Sequence, residues 1–81
     1  MNRRPREPLI SVGNQIRKVR EEKGYSQMGF AAQAGLARAY YGGIERGERN
    51  AAIETLIKIA AALEVEVGML FPTLDELNSK L

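Results

Sequence analysis

Glycines at positions 24, 35 and 47 end successive stretches in which apolar side chains have helical spacing. Ahead of the first glycine the apolar positions recur at i, i+4 and i+7, the period of one helix face: Val12, Ile16 and Val19. Glycine suits the left-handed residue that often closes a helix. No stretch alternates in the manner of a strand, so the sequence predicts an all-α fold.

These stretches predict a compact bundle of about five short helices. Their approximate ranges are 10–23, 26–34, 37–45, 52–63 and 66–71, with a further helical segment after Thr73. Ser26 offers a capping hydroxyl to the second helix, and Thr73 with Glu76 gives a capping-box pattern for the last segment. Pro72 ends the fifth helix because proline cannot continue one.

The predicted core depends most on the helix at 52–63, which carries a continuous apolar stripe. The stripe consists of Ile53, Leu56, Ile57, Ala60 and Leu63. The other predicted core residues are Tyr25, Phe30, Leu36, Tyr41, Ile44, Leu70 and Phe71. A core in 81 residues is modest, and without cysteines no disulfide supplements it.

The inventory of reactive side chains argues against an enzyme. Histidine and cysteine are absent, which removes the usual general base and the typical ligands of zinc. Asp75 is the only aspartate, so no aspartate cluster can hold magnesium. We therefore expect a protein that is not an enzyme and needs no metal, cofactor or small-molecule ligand.

Charge is distributed unevenly along the chain. Residues 1–50 contain ten basic and five acidic side chains, whereas residues 51–81 contain two basic and five acidic ones. This asymmetry fits a protein that presents one face to a polyanion, although chance clustering gives the same pattern. No apolar run approaches the roughly 20 residues that span a bilayer. We expect a soluble, cytoplasmic protein without a membrane partner.

The most informative element is a pair of short helices joined by a brief turn. The predicted helices 26–34 and 37–45 are separated only by Gly35 and Leu36. In a helix-turn-helix, the first helix crosses the DNA backbone and the second lies in the major groove. Ordinary helical hairpins have equally short turns, so this interpretation needs support from the residues themselves.

The residues around this turn resemble the Cro/CI-type (XRE) helix-turn-helix family over about residues 11–71. The strings IRKVREEKGYSQ at 16–27 and IERGERN at 44–50 match the family pattern. Further matches are Phe30-Ala31, Ala34-Gly35-Leu36, Tyr40-Tyr41, Leu56–Ala60, Leu63, Val65 and Leu70-Phe71. The ERGERN stretch at 45–50 and the small size of the chain are similar to those of restriction–modification controller proteins, phage repressors and other single-domain regulators. The resemblance implies a lambda-repressor-like DNA-binding domain.

The resemblance implies that the second helix of the pair reads base edges in the major groove. Arg38 is the main candidate for base readout, because its guanidinium group can bridge O6 and N7 of guanine. The alternative is that Arg38 contacts only a phosphate. Gln27 contacts a phosphate and reaches a base edge. Ala39, Gly42 and Gly43 also occupy groove-facing positions, although Ala39 can touch only a thymine methyl group. The glycines either let the backbone approach DNA or indicate a readout of DNA shape.

The resemblance places further residues on the phosphate backbone beside the groove. These residues are Gln27, Tyr40, Arg46, Arg49 and Asn50. A guanidinium fork suits phosphate oxygens, and amide and hydroxyl groups can donate to them as well. Arg20 and Glu45 match a buried ion pair of the family, which ties the first helix to the end of the third. At Ala37 the family often has a capping serine or threonine.

The segments that flank the domain at 9–72 have separate predicted roles. Residues 1–8, with Arg3, Arg4 and Arg6, have the composition of a flexible basic arm. This arm is either a solvated tail or a segment that follows phosphates or enters a minor groove. Residues 73–81 form a short helical tail.

One recognition helix reads only a few base pairs, so we expect a homodimer that reads a palindromic operator in double-stranded DNA. The predicted dimer surface is Val65, Val67, Met69, Leu74, Leu77 and Leu81, unless the last helix folds back on its own core. The predicted function is a sequence-specific transcriptional regulator that acts as a repressor. The alternative is a protein-interaction or antitoxin-like module with the same fold.

Overall fold

The computed structural model describes residues 4–80, so the predicted arm residue Arg3 and the predicted dimer residue Leu81 lie outside the described residues. Five α-helices follow one another: α1 (Leu9–Glu22), α2 (Gln27–Ala34), α3 (Arg38–Glu45), α4 (Ile53–Leu63) and α5 (Leu74–Ser79). Residues 4–80 contain no strand, and the predicted all-α fold is confirmed. The segment predicted as a helix at 66–71 is a short 3₁₀ turn, Val67–Leu70.

The turn between α2 and α3 is closed by two backbone hydrogen bonds. The Leu36 amide donates to the Ala31 carbonyl at 2.9 Å, and the Gly35 amide donates to the Ala32 carbonyl at 3.1 Å. These bonds satisfy carbonyl groups that a helix end otherwise leaves open. Gly35 has a φ of 71°, a conformation that costs about 1–2 kcal/mol for a residue with a Cβ. The glycine therefore permits the abrupt change of direction from α2 to α3.

The two helices of this turn begin differently. Ser26 Oγ accepts a hydrogen bond from the Gly29 amide at 3.0 Å and caps α2 as predicted. Ala37 has the extended conformation of an N-cap residue but no side-chain oxygen, so α3 starts without a side-chain cap. The first amides of α3 are therefore available to an acceptor from outside the chain.

The core lies where α1 to α4 and the 3₁₀ turn meet. Its buried side chains are Ile16, Val19, Phe30, Ala31, Tyr41, Ile44, Ile59, Ala60, Leu63 and Leu70. The Phe30 ring lies 5.3 Å from the ring of Tyr25 and 5.2 Å from that of Tyr41, measured between ring centres. Tyr25, Leu36 and Leu56 are half-buried against this core. Most of the predicted core is thus found, and the largest differences lie in α4.

Helix α4 turns Leu56, Ala60 and Leu63 of the predicted stripe toward the core, but not the other two residues of that stripe. The prediction of Ile53 and Ile57 as core residues is wrong, because their side chains are 75% and 51% exposed. Ile59 is fully buried instead, and the predicted core residue Phe71 is 36% exposed. Because α4 reads IETLIKIAAAL, apolar residues lie on nearly every side of it. Its own spacing fits two stripes, and contacts with the other helices decide between them.

Helix α1 approaches the end of α3 closely at Gly13. A Cβ at Gly13 would lie 2.4 Å from the carbonyl oxygens of both Ile44 and Glu45. The Arg6 amide also donates to the Gly47 carbonyl at 3.1 Å. The backbone at and just before α1 therefore supports both the last turn of α3 and the segment that follows it.

Helix α5 is the only one of the five described α-helices without a buried residue. None of its residues is buried, and the side chain of Leu74 is 71% exposed. Thr73 Oγ1 accepts from the Glu76 amide at 3.2 Å, so the helix has the predicted cap. Within residues 4–80, none of the helices has the length and apolar character needed to cross a bilayer.

Candidate nucleic-acid interface

A buried hydrogen-bond network fixes α3 relative to α1 and α2. Arg20 donates from Nε to Glu45 Oε2 at 2.7 Å and from Nη2 to Glu45 Oε1 at 3.1 Å. Gln27 Nε2 donates to Oε1 of the same carboxylate at 3.0 Å, and the Tyr41 hydroxyl donates to its Oε2. Arg20 Nη1 also donates to the Tyr25 carbonyl at 2.7 Å. Within residues 4–80 no buried side-chain nitrogen or oxygen lacks a partner, so the network is satisfied.

This network controls the ionisation of its members. Burial by itself raises the pKa of Glu45, but the hydrogen bonds from Arg20, Tyr41 and Gln27 outweigh burial and lower the pKa below the ordinary value of 4.5. The hydrogen bond with Glu45 raises the pKa of Arg20 against the opposing effect of burial. Both groups are therefore charged at neutral pH, and their ion pair holds the end of α3 against α1.

Gln27, the first residue of α2, is half-buried between α2 and α3. Its Nε2 is bonded to Glu45, and its Oε1 would lie 3.3 Å from a Cβ at Gly42. The side chain thus joins the two helices within the protein. Sequence reasoning missed this role because Glu45 lies far along the chain and only the fold brings the two together. The contact of Gln27 with a phosphate or a base stays a prediction.

The first turn of α3 is exposed to solvent. Arg38 and Ala39 both lie on the surface there. Among residues 4–80, no side chain forms a hydrogen bond or an ion pair with the Arg38 guanidinium. The guanidinium and the uncapped amides of α3 therefore lie at the same helix end, where both can donate to an external acceptor.

The predicted groove-facing glycines of α3 are covered in the structure. Gly42 and Gly43 are buried because two arginine side chains from the end of α3 and the following segment lie over them. A Cβ at Gly42 would lie 3.0 Å from Arg46 Nη1, and one at Gly43 would lie 2.8 Å from Arg49 Cγ. In the structure the arginine side chains therefore lie over the backbone at these glycines. Their contact with DNA stays a prediction.

Arg46 and Arg49 are two of the predicted phosphate-binding residues, and each has a contact within the protein. The Arg49 guanidinium carbon lies 5.8 Å from the centre of the half-buried Tyr40 ring, a cation–π distance. Arg46 is exposed and donates from Nη2 to Glu48 Oε1 at 3.1 Å. Asn50 is exposed. Sequence reasoning missed Glu48, although an acidic residue two positions after an arginine is a visible signal.

The structure thus brings most of the predicted site residues together around α3. One group contains Gln27, Gly42 and Arg46, and a second contains Tyr40, Gly43 and Arg49. Arg38 and Ala39 lie at the start of the same helix. Two helices joined by a tight turn, with a second helix whose first turn is exposed and whose end is bordered by arginines, define the class of helix-turn-helix DNA-binding domains.

Comparison with known proteins identifies the family within this class. A family model described as Helix-turn-helix matches residues 16–70, more than half of the chain. The chain belongs to this family, the XRE-type helix-turn-helix transcription regulators, and the predicted resemblance is confirmed. Members of the family are DNA-binding proteins without enzymatic activity, so the prediction of a non-enzyme is confirmed as well.

Similar proteins include restriction–modification controllers and a transcriptional regulator. Control protein C.MunI from Mycoplasma sp is 43% identical over 68 residues, which cover 83% of this chain and 92% of C.MunI. The crystal structure of controller protein C.AhdI from Aeromonas hydrophila is 43% identical with a TM-score of 0.75, and the match covers 78% of this chain and 96% of that one.

The transcriptional regulator is SinR. SinR of Bacillus subtilis is 42% identical over 66 residues, which cover 80% of this chain and 57% of SinR. The chain therefore spans somewhat more than half the length of this relative. A crystal structure of SinR in complex with DNA has a TM-score of 0.70, and the match covers 73% of this chain and 95% of that chain.

Proposed function

We propose that the chain is a sequence-specific transcriptional regulator that binds double-stranded DNA as a homodimer and inserts α3 into the major groove. The observation that carries the proposal is the exposed start of α3, where the Arg38 guanidinium has no partner within residues 4–80. The buried hydrogen bonds between Arg20 and Glu45 hold the end of α3 against α1. By occupying promoter DNA, such a protein acts as a repressor.

The proposed contacts divide into base readout and phosphate binding. Arg38 bridges O6 and N7 of a guanine, and Ala39 touches a thymine methyl group. Gly42 and Gly43 are the other two predicted base-contacting residues, and the side chains of Arg46 and Arg49 lie over them. The phosphate contacts come from Gln27, Tyr40, Arg46, Arg49 and Asn50, which fix the position of the helix on the duplex. A palindromic operator would present the same contacts to each protomer.

The relatives support duplex DNA as the partner. SinR, which is 42% identical, has been solved in complex with DNA, and C.AhdI is a restriction–modification controller. We carry DNA binding over to this chain because the family match at residues 16–70 includes α2, α3 and the segment between them. A regulator of this kind acts where the genome lies, and we place it in the cytoplasm.

Binding to a short duplex of random sequence across a salt series tests DNA binding itself. The affinity should fall steeply as salt rises, because each phosphate that the protein neutralises releases counterions. The alternative, a protein-interaction or antitoxin-like module, is supported by exposed apolar side chains such as Met69 and Leu74. It predicts no affinity for the duplex even at low salt, and that result would remove the regulator proposal.

Replacement of Arg38 by alanine tests base readout. Selection from a random DNA pool first supplies the preferred duplex and its half-site spacing. On this duplex, Arg38→Ala should lose about 1–3 kcal/mol of binding free energy and the base preference at one position per half-site. Lys58→Ala removes an exposed cation of α4 and is the matched control, which should bind like the wild type. An equal loss on random and selected duplexes would show that Arg38 contacts only phosphate.

The homodimer is supported by apolar side chains that the single chain leaves in solvent. Three residues of the predicted dimer surface are exposed: Val67, Met69 and Leu74. Val65 and Leu77, also of this surface, are half-buried. Ile53 and Ile57 of α4 add further exposed apolar area. A contiguous apolar patch on the surface is typical of an interface, and Val67, Met69 and Leu74 follow one another closely along the chain. Since α5 buries none of its residues, folding back on its own core is the weaker interpretation of that helix.

Leu74→Glu should convert the dimer into a monomer. The Leu74 side chain is 71% exposed in the single chain, so a charge there leaves the fold intact, whereas an unpaired carboxylate buried in an interface is costly. Sedimentation equilibrium should give twice the chain mass for the wild type and one chain mass for the variant. Met28→Glu, at an exposed apolar residue of α2, is the control and should stay dimeric. A wild type that is monomeric at concentrations that saturate DNA would contradict the dimer.

A further inference from the structure

Helix α3 contains two adjacent glycines that lower its stability, although the backbone conformation at these positions does not require glycine. Gly42 and Gly43 lie within the helix, and neither has a positive φ, so any residue could adopt their conformation. Glycine in a helix interior is less stable than alanine. What these positions require is therefore the space that the missing side chains leave.

Arg49 fills the space beside Gly43. The three atoms nearest to a Cβ at Gly43 all belong to Arg49, with Cγ at 2.8 Å, Nε at 3.7 Å and Cδ at 3.8 Å. The guanidinium carbon lies 5.8 Å from the ring centre of Tyr40, one turn earlier in α3. The Arg49 side chain thus runs along α3, although its backbone lies beyond the end of the helix.

The guanidinium group at the end of this side chain has no hydrogen-bond acceptor among residues 4–80. Its cation–π contact within residues 4–80 is with the Tyr40 ring. A guanidinium fork suits an acceptor with two adjacent atoms, such as the oxygens of a phosphate or O6 and N7 of guanine. Because the side chain is already held against α3, less conformational freedom is lost when such an acceptor binds.

We infer that Gly43 is a positioning residue for DNA binding. Its missing side chain allows Arg49 to lie along α3 and to present its guanidinium beside Tyr40 to a paired acceptor on the DNA. An alanine at this position would place its Cβ against Arg49 Cγ, in the middle of the side chain, and would force the whole guanidinium to a new place. This inference rests on the proposed function.

A double-mutant cycle of Gly43→Ala and Arg49→Ala tests the inference. Affinities of the wild type, both single variants and the double variant are measured on the duplex selected by the wild type. Each single variant should lose about tenfold in affinity, as expected for one arginine contact, and the double variant should lose no more than either. Unfolding in urea should show that Gly43→Ala is at least as stable as the wild type. If Gly43 had a purely structural role, the variant would be less stable. Gly68→Ala, where an added Cβ meets no atom within 4 Å, controls for a generic glycine effect.

The outcomes separate this inference from the proposed function. A wild type that binds no DNA removes the proposed function, whereas normal affinity of Gly43→Ala, or single losses that multiply in the double variant, overturns only the role of Gly43. Two outcomes support it and identify the acceptor. If Arg49→Ala lowers the salt dependence by about one phosphate on every sequence, the acceptor is a phosphate. If the variant loses a guanine preference in a new selection, the acceptor is a base.

Discussion

Replacement of Glu45 by alanine should lower the free energy of unfolding by about 3–5 kcal/mol. The Arg20 side chain is only 7% exposed, so its charge would remain buried without the carboxylate that now accepts two of its hydrogen bonds. Tyr41 and Gln27 would lose the same acceptor. Domains are commonly stable by only about 5–15 kcal/mol, so a large part of the variant would unfold under mild conditions. Unfolding in urea, followed by circular dichroism, measures the loss.

A double-mutant cycle distinguishes the loss of the ion pair from a general weakening of the core. Arg20→Met leaves a buried carboxylate, and Glu45→Gln leaves a buried guanidinium, whereas the double variant leaves neither charge. We therefore expect the double variant to be less destabilised than the sum of the two single variants, by about 0.5–3 kcal/mol. Strictly additive losses would show that the two residues stabilise the protein independently.

The lowered pKa of Glu45 also fixes the sign of a pH effect. A carboxylate with a lower pKa in the folded state than in the unfolded state stabilises the fold fully above the unfolded value, here about 4.5. This contribution is lost as the pH falls below 4.5 and through the folded pKa. The stability difference between the wild type and Glu45→Gln should therefore shrink on acidification. A constant difference down to pH 3 would contradict the assignment.

The helix boundaries followed from local chemistry and could be predicted. Ser26 and Thr73 accept hydrogen bonds from amides three residues ahead, and Gly35 closes α2 in a left-handed conformation. Each of these interactions joins residues that are close in sequence. The inward face of α4 could not be predicted in this way, because Ile53 and Ile59 are equally apolar and only distant helices select Ile59.

In the candidate site, too, some features could be predicted from the sequence and others depend on contacts between distant segments. The exposure of Arg38 follows from its place at the start of an amphipathic helix, and the pairing of Arg20 with Glu45 was implied by the family resemblance. The cover of Gly43 by Arg49 depends on how the segment after α3 turns back, which neither helical spacing nor residue type encodes. Sequence reasoning therefore proposed the residues of the candidate site but could not predict the arrangement of its arginines.

Gly13→Ala should destabilise the protein by about 3 kcal/mol, although alanine is the better helix former by about 1 kcal/mol. The new Cβ would lie 2.4 Å from the carbonyl oxygens of Ile44 and Glu45. Both obstacles are backbone atoms, so no side-chain rotation relieves the clash and α1 must move away from α3. Gly68→Ala, which meets no atom within 4 Å, should stay within about 0.5 kcal/mol of the wild type in the same urea unfolding experiment.

The displacement of α1 in Gly13→Ala should also reach the proposed DNA-binding surface, because Gly13 packs against the helix end that carries Glu45. If α1 and α3 separate, the Arg20 guanidinium cannot keep both of its bonds to that carboxylate, and α3 loses its fixed orientation relative to α2. Folded Gly13→Ala protein, assayed well below its unfolding midpoint, should therefore bind the selected duplex more weakly than the wild type. Alanine at Gly43 meets a movable side chain instead of a backbone, so it should weaken binding without loss of stability. If the Gly13→Ala and Gly43→Ala variants had the same free energy of unfolding, the close approach of α1 to α3 at Gly13 would not constrain the fold.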